Sequence, residues 1–240
     1  MSRLFVGLLM IGGIALCNSG LAQDNVTEVK SEKIVVDDFE DDAPSEFPKG
    51  WKFVGSDKEV KTYEETKAPG RTMTVRKDGE NRFVRLSTED NYLRYTKRNG
   101  VDFEWNLKDH PRLKWRWRAR KLPEGASERD QNDTGGAVYV TFGSDWLGRP
   151  KSIKYTYSSS LPVGTTVSFG PLKVIVVDSA REPRTGEWET VQRRIRDDYR
   201  QVFGEDPPDR PVSITLWSDS DTTGDEAKVD VDDIELLPPR

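Results

Sequence analysis

One histidine and one cysteine occur in 240 residues, and these two scarcities remove whole classes of chemistry. Cys17 falls in an N-terminal apolar segment, so the remainder of the chain has no thiol for a disulfide, a zinc knuckle or a nucleophile. His110 stands beside Pro111 without a nucleophile-elbow glycine pattern, which argues against a Ser–His–acid triad. No nucleotide-binding glycine pattern, coiled coil or internal repeat is present. Basic and acidic residues are interspersed, with no basic block and a formal net charge of −5, so nucleic acid is not an expected partner.

Long apolar runs are also lacking, apart from Leu4–Leu16. That run follows Arg3 and precedes the small residues Gly20-Leu21-Ala22, the layout of a secretory signal peptide over residues 1–22. It is too short for a membrane span. A lipoprotein site wants a small residue before its cysteine, and Leu16 occupies that place before Cys17. Cleavage after Ala22 leaves 240 − 22 = 218 residues with 37 − 1 = 36 basic and 42 acidic side chains, a balance of −6. Periplasm or secretion is the expected location. Residues 23–33 are polar and aperiodic and read as a flexible tail, leaving 34–238 as one domain.

What the chain does have is short two-faced strands. Leu113, Trp115 and Trp117 alternate with Lys114, Arg116 and Arg118; Val138, Val140 and Phe142 alternate likewise. The segments 34–40, 72–76, 82–87, 92–97, 153–158, 165–169 and 173–178 read as further strands between turn-forming stretches. Val191 to Phe203 is expected to pass from a strand through Ile195 into a short helix capped by Asp197 and ended at Gly204. The fold class is therefore all-β: an antiparallel β-sandwich of jelly-roll type with one or two short helices.

The last stretch carries the sharpest inference. Val229 and Val231 share one parity, Ile234 and Leu236 the other. A strand that keeps one face buried must then hold an extra residue near Asp232–Asp233, a β-bulge.

Four blocks in order, WRWRARKLPEGASERDQNDTGGAVYVTF, IKYTYS, DDYRQVFG and LWSDSDTTGDEAKVDVDDIEL, resemble a bacterial exported family, domain of unknown function 3047. The similarity runs from Lys114 to Leu236, with Tyr157 where that family's pattern has tryptophan. The name brings no activity with it. Asp37-Asp38-Phe39-Glu40 and Val231-Asp232-Asp233-Ile234 resemble the ends of galactose-binding-like jelly rolls, a group that includes carbohydrate-binding modules. That resemblance implies neighbouring first and last strands whose acids hold a structural calcium.

Candidate sites follow. Asp38, Glu40, Asp232 and Asp233 are the expected calcium ligands, because calcium takes six to eight oxygens and clustered carboxylates need a cation. The loops containing Glu128, Asp130, Asn132 and Asp133 and containing Asp219 and Asp221 would form a ligand site if they converge; alone, each is ordinary Asx-turn chemistry. Trp51, Trp146, Trp188, Tyr155, Tyr157 and Trp217 are candidates for sugar stacking, with Trp146 favoured because Gly143–Gly148 reads as a loop. The expected function is non-catalytic binding of a glycan or another envelope component, with calcium as stabiliser. The alternatives are a polysaccharide hydrolase or lyase using Asp130, Asp133, Asp219 or Asp221, and a purely structural envelope protein.

Overall fold

A computed structural model describes residues 32–55, 59–130, 133–181 and 186–239. The expected signal peptide and Cys17 lie outside these residues, as do Asn132 and all of the expected tail except Glu32 and Lys33.

The elements in chain order are β1 (Ile34–Asp37), β2 (Phe53–Val54), β3 (Val60–Lys61), α1 (Tyr63–Thr66), β4 (Arg71–Asp78), β5 (Asn81–Glu89), β6 (Tyr92–Arg98) and β7 (Arg112–Lys121). There follow β8 (Thr134–Ser144), β9 (Pro150–Ser158), β10 (Thr166–Phe169), β11 (Leu172–Ser179), β12 (Glu189–Arg194), α2 (Ile195–Phe203), β13 (Ser213–Asp219) and β14 (Glu226–Leu237). Sheet A runs β12-β7-β14-β5-β4, with β1 paired to β14; sheet B runs β10-β11-β9-β8-β13-β6. Every pair is antiparallel except β9 with β11, which is parallel.

The two sheets face each other across an aromatic core. Trp115 of β7 lies 5.7 Å from Tyr155 of β9, and Trp117 lies 5.3 Å from Tyr157, centroid to centroid. All four are buried. Each such ring removes ~150–250 Å² from water, roughly 4–6 kcal/mol at ~25 cal/mol per Å². The Trp117 indole donates to Asp178 Oδ2 at 3.0 Å, satisfying its polar edge within the core. Between the sheets, a Cβ on Gly136 would stand 2.9 Å from a Val229 methyl, so β8 and β14 pass too closely there for any larger residue.

The phase shift in β14 is present. Register with β7 slips between Asp232 and Glu235, and Asp233 sits at φ 49° in the left-handed region. Val229, Val231, Ile234 and Leu236 all reach the core as a result. The helix α2 ends at Gly204 with φ 75°, as the sequence predicts. Its start differs: Ile195 is the first helical residue, Arg194 holds the N-cap position without a side-chain cap, and Asp197 lies in the first turn. Ile195 N instead donates to Pro111 O at 3.0 Å, so tertiary contact replaces the cap. The second short helix, α1, opens on a capping box made by Thr62 and Glu65.

Candidate functional site

Alternation in sheet B gives each strand a core face and an outer face. Cross-strand register aligns two outer rows: Lys154, Tyr139, Thr215 and Thr96 in one, and Thr156, Ala137, Trp217 and Arg94 in the next. Asp219 follows Trp217 on β13, opposite Thr134 of β8 and Tyr92 of β6. The solvent face of a sheet ordinarily carries small polar and charged groups. Here it carries a half-exposed aromatic strip: Trp217 stacks on Tyr92 at 5.8 Å and 18°, and meets Tyr139 at 5.4 Å. The Arg94 guanidinium lies 4.8 Å from the Phe53 ring and 5.8 Å from that of Trp217, and its buried Nε has no hydrogen-bond partner.

The acidic loops close one end of this strip. Asp133 is buried and accepts from the backbone amides of Thr222 at 3.2 Å and Thr223 at 2.7 Å, so the two loops meet. Buried Glu128 accepts from Thr156 Oγ1 at 2.8 Å and Ser158 Oγ at 2.6 Å, fastening its loop onto the outer face of β9. Asp133, Asp219 and Asp221 bring carboxylate oxygens within 4.8 Å of one another, the one such group of His, Cys, Asp or Glu found among the described residues.

Into this group comes Lys154, buried with 2% of its surface exposed and 5.7 Å from the Tyr139 ring. Its ammonium forms no hydrogen bond or ion pair with the side chain of any described residue. Burial pulls its ammonium down to about 8, against the opposing charges of Glu128, Asp219 and Asp133. Burial pushes the Asp219 carboxyl up to about 7, with the charge of Asp221 adding and Lys154 opposing; the Trp217 indole donates to its Oδ2 at 3.3 Å. Burial also raises the Tyr139 phenol, which stays neutral. The arrangement offers a flat apolar surface beside proton donors and acceptors that the fold leaves available.

Of the ligand residues expected from sequence, Asp133, Asp219 and Asp221 come together here. Asp130 is exposed and stands apart from the group. Tyr155 and Tyr157 are corrected to core residues. They share the inner parity of β9 with Ile153, and the Tyr155 hydroxyl donates to Asp198 at 2.9 Å. Trp146 is 88% exposed at the β8–β9 turn, as its loop position implies. It lies at the other end of β8 from Thr134, roughly 30 Å away at ~3.3 Å per residue. Trp51 is buried, its indole donating to Asp37 Oδ2 at 2.7 Å. Trp188 packs over Arg116 and Arg118 on the outside of sheet A.

Asp38, Glu40, Asp232 and Asp233 do not converge, and this corrects their expected role as one ligand set. Side chains meet most of their charge instead. Arg116 pairs with Asp232 at 2.6 Å and Asp233 at 2.8 Å, Asn81 donates to Asp232 at 2.9 Å, and Glu40 accepts from the Arg82 amide at 2.8 Å. Asp38 caps its own turn, accepting from the Glu40 amide at 3.3 Å. His110 is buried with a ring nitrogen 2.8 Å from Glu32 O. Sequence reasoning missed Tyr139, Lys154, Arg94 and Tyr92. The signal was available for the first two, whose parity opposes that of Val138, Val140, Ile153 and Tyr155.

These features define a two-sheet β-sandwich of jelly-roll type with an aromatic and acidic strip on one outer face. The chain belongs to the family described as "Protein of unknown function (DUF3047)", which matches residues 49–235. No curated protein matches it. Similar solved structures include the family 11 carbohydrate-binding module of the cellulosomal cellulase Lic26A-Cel5E of Clostridium thermocellum: 11% identity, 86% of this chain and 95% of that one covered, TM-score 0.41. The family 30 module of the cellulase Cel9D-Cel44B of the same organism gives 15%, 86%, 97% and 0.44. The CBM28 module specific for non-crystalline cellulose gives 13%, 88%, 97% and 0.45.

Proposed function

We propose that this protein is an exported, non-catalytic β-sandwich that binds a glycan of the cell envelope or its surroundings on the outer face of sheet B. The observation that carries the reading is Trp217, half-exposed between Tyr92 and Tyr139 and bordered by Arg94, Lys154 and Asp219. An indole plane takes the C–H face of a sugar ring, and convergent polar groups fix its hydroxyls. A calcium ion fits this reading at Asp133, Asp219 and Asp221, where Lys154 competes for the same carboxylates.

The test is calorimetric titration with a panel of soluble oligosaccharides, with and without calcium. Trp217→Ala is expected to weaken binding at least about tenfold, the scale of one lost aromatic contact. Absence of binding to every glycan would sink the reading and favour a purely structural envelope role.

A second reading is polysaccharide cleavage, favoured by one observation: the Asp219 carboxyl is held near 7 beside Asp221, an acid paired with a base. New reducing ends or unsaturated products from the same glycans, abolished by Asp221→Ala, would put an enzyme in place of the binder.

A further inference from the structure

Exposed apolar side chains concentrate at one rim of sheet B, the end away from the acidic group. Among the described residues eight large apolar side chains are exposed, and five of them belong to this rim: Val101 (64%), Trp146 (88%), Leu147 (54%), Phe169 (41%) and Val212 (47%). Register places them there together. Ser213, after Val212, stands opposite both Thr141 of β8 and Arg98 of β6, and Asn99 N donates to Val212 O at 2.9 Å. Ser144 and Pro150 flank the turn carrying Trp146 and Leu147, while Phe169 and Leu172 flank the neighbouring turn. Ser152 N donates to Pro171 O at 3.1 Å, tying the two turns side by side.

Cations accompany these tips. An open cleft of ≈ 450 Å³ runs between Trp146 and Phe203, and the ammonium groups of Lys151 and Lys173 stand 4.6 and 5.6 Å from the Phe203 ring. The acids of the rim are already engaged. Asp145 pairs with Arg149 at 2.7 Å, Glu205 pairs with Lys151, Glu104 pairs with Arg210, and Asp102 accepts from the Arg98 amide at 2.7 Å. Lys173 and Arg98 have no acidic partner among the described residues, and Asp102 alone of the rim acids has no cationic one, so the unpaired charge of the rim is positive.

We propose that this rim docks on an anionic lipid surface, inserting Trp146, Leu147 and Phe169 at headgroup depth with Lys173 against the phosphates. A rigid protein partner would need one continuous complementary face, whereas these residues project from separate turns beyond the sheet. A lipid interface deforms around separate points, and tryptophan and phenylalanine favour its boundary, with lysine reaching the headgroups. The rim is separate from the glycan site, since Trp217 pairs with Ala137, seven residues along β8 from Ser144 and the turn that carries Trp146.

The test is co-sedimentation of the full chain with phosphatidylglycerol–phosphatidylcholine vesicles, read beside quenching of tryptophan emission by brominated lipid. The wild type is expected to bind, and the triple variant Trp146→Ser, Leu147→Ser, Phe169→Ser to lose at least about tenfold in partition coefficient while keeping its melting temperature. All variants share one N-terminus, so the difference reads the rim alone. Trp146→Phe is expected to retain most binding and to lose most of the quenching, because Trp146 is the tryptophan that enters the lipid. A wild type that stays in the supernatant, or a triple variant that binds as the wild type does, would overturn the proposal. So would a Trp146-dependent emission change with soluble oligosaccharide but none with vesicles, which would assign the rim to sugar.

Discussion

Asp230 of β14 stands directly opposite Arg118 of β7, its Oδ2 2.8 Å from the arginine Nε, and it is fully buried. On its other side Arg85 of β5 forks onto the same carboxylate at 2.6 and 2.9 Å. One acid thus pairs with two guanidinium groups that also lie over Phe83; Arg118 lies over Trp188 as well and reaches Asp78 at 3.6 Å. Removing it leaves Arg85 without an acidic partner among the described residues and Arg118 with only the exposed Asp78. Asp230→Ala is expected to cost about 3–5 kcal/mol in urea unfolding. A loss below about 1 kcal/mol would mean that water reaches both arginines.

Acidity should act on stability with a definite sign. Burial raises Asp219 from 3.8 to about 7 and Asp232 from 3.8 to about 6, so both hold protons more tightly in the folded chain. Their contribution is complete below about pH 4 and is lost as pH rises through those two values. Lys154 has the opposite sense. Its folded amine, near 8 against 10.5, contributes above the unfolded value, and that contribution is lost as pH falls through 8. Asp219→Asn should therefore gain on the wild type as pH rises from about 4 to about 8 in denaturant titrations. Parallel curves for the two proteins would show that Asp219 titrates as a solvated acid.

The bulge makes Asp233 a position ruled by backbone shape. With φ 49° it tolerates asparagine, which visits the left-handed region, and resists valine. Asp233→Asn should cost under about 1 kcal/mol through its half-exposed pair with Arg116. Asp233→Val should cost a further ~1–2 kcal/mol. Deleting Asp233 would turn Ile234 and Leu236 out of the core and is expected to prevent folding. Soluble, cooperatively melting deletion protein would show that the register can slip without harm.

Calcium offers a comparison between the two acidic regions. Added calcium chloride is expected to raise the melting temperature of the wild type, by the ~2.7 kcal/mol that ligand at a hundred times its Kd supplies, and to leave Asp221→Asn unmoved. A wild type indifferent to calcium and to chelator would remove the ion from the site. A rise that survives Asp221→Asn but not Asp232→Asn would return it to the chain ends.

Much of this was legible in the residues themselves, where local period decides structure. The parity break between Val231 and Ile234 announces the bulge, and Gly204 announces the end of α2. The meeting of the loops around Asp133 and Thr222 was a question the sequence could pose but not answer, because it depends on β8 pairing with β13, strands more than sixty residues apart. Parallel pairing of β9 with β11 is equally silent. Tyr155 and Tyr157 differ: their parity with Ile153 points inward, and in a two-faced strand parity decides over aromatic type. The same parity applied to Tyr139 and Lys154 marks them as outward. The chain ends misled because acids beside acids suggest a metal, while the compensating Arg116 comes from a distant strand.

The position of β14 bears on the order of events at synthesis. Residues 226–237 pair with β7 along one edge and with β5 and then β1 along the other. With only the first 225 residues made, sheet A lacks the strand on which three others depend. A growing chain can collapse but cannot close its sandwich, and its aromatic core waits for the last strand. The long-range pairing that slows folding thus also defers closure of the sandwich until residues 226–237 are made.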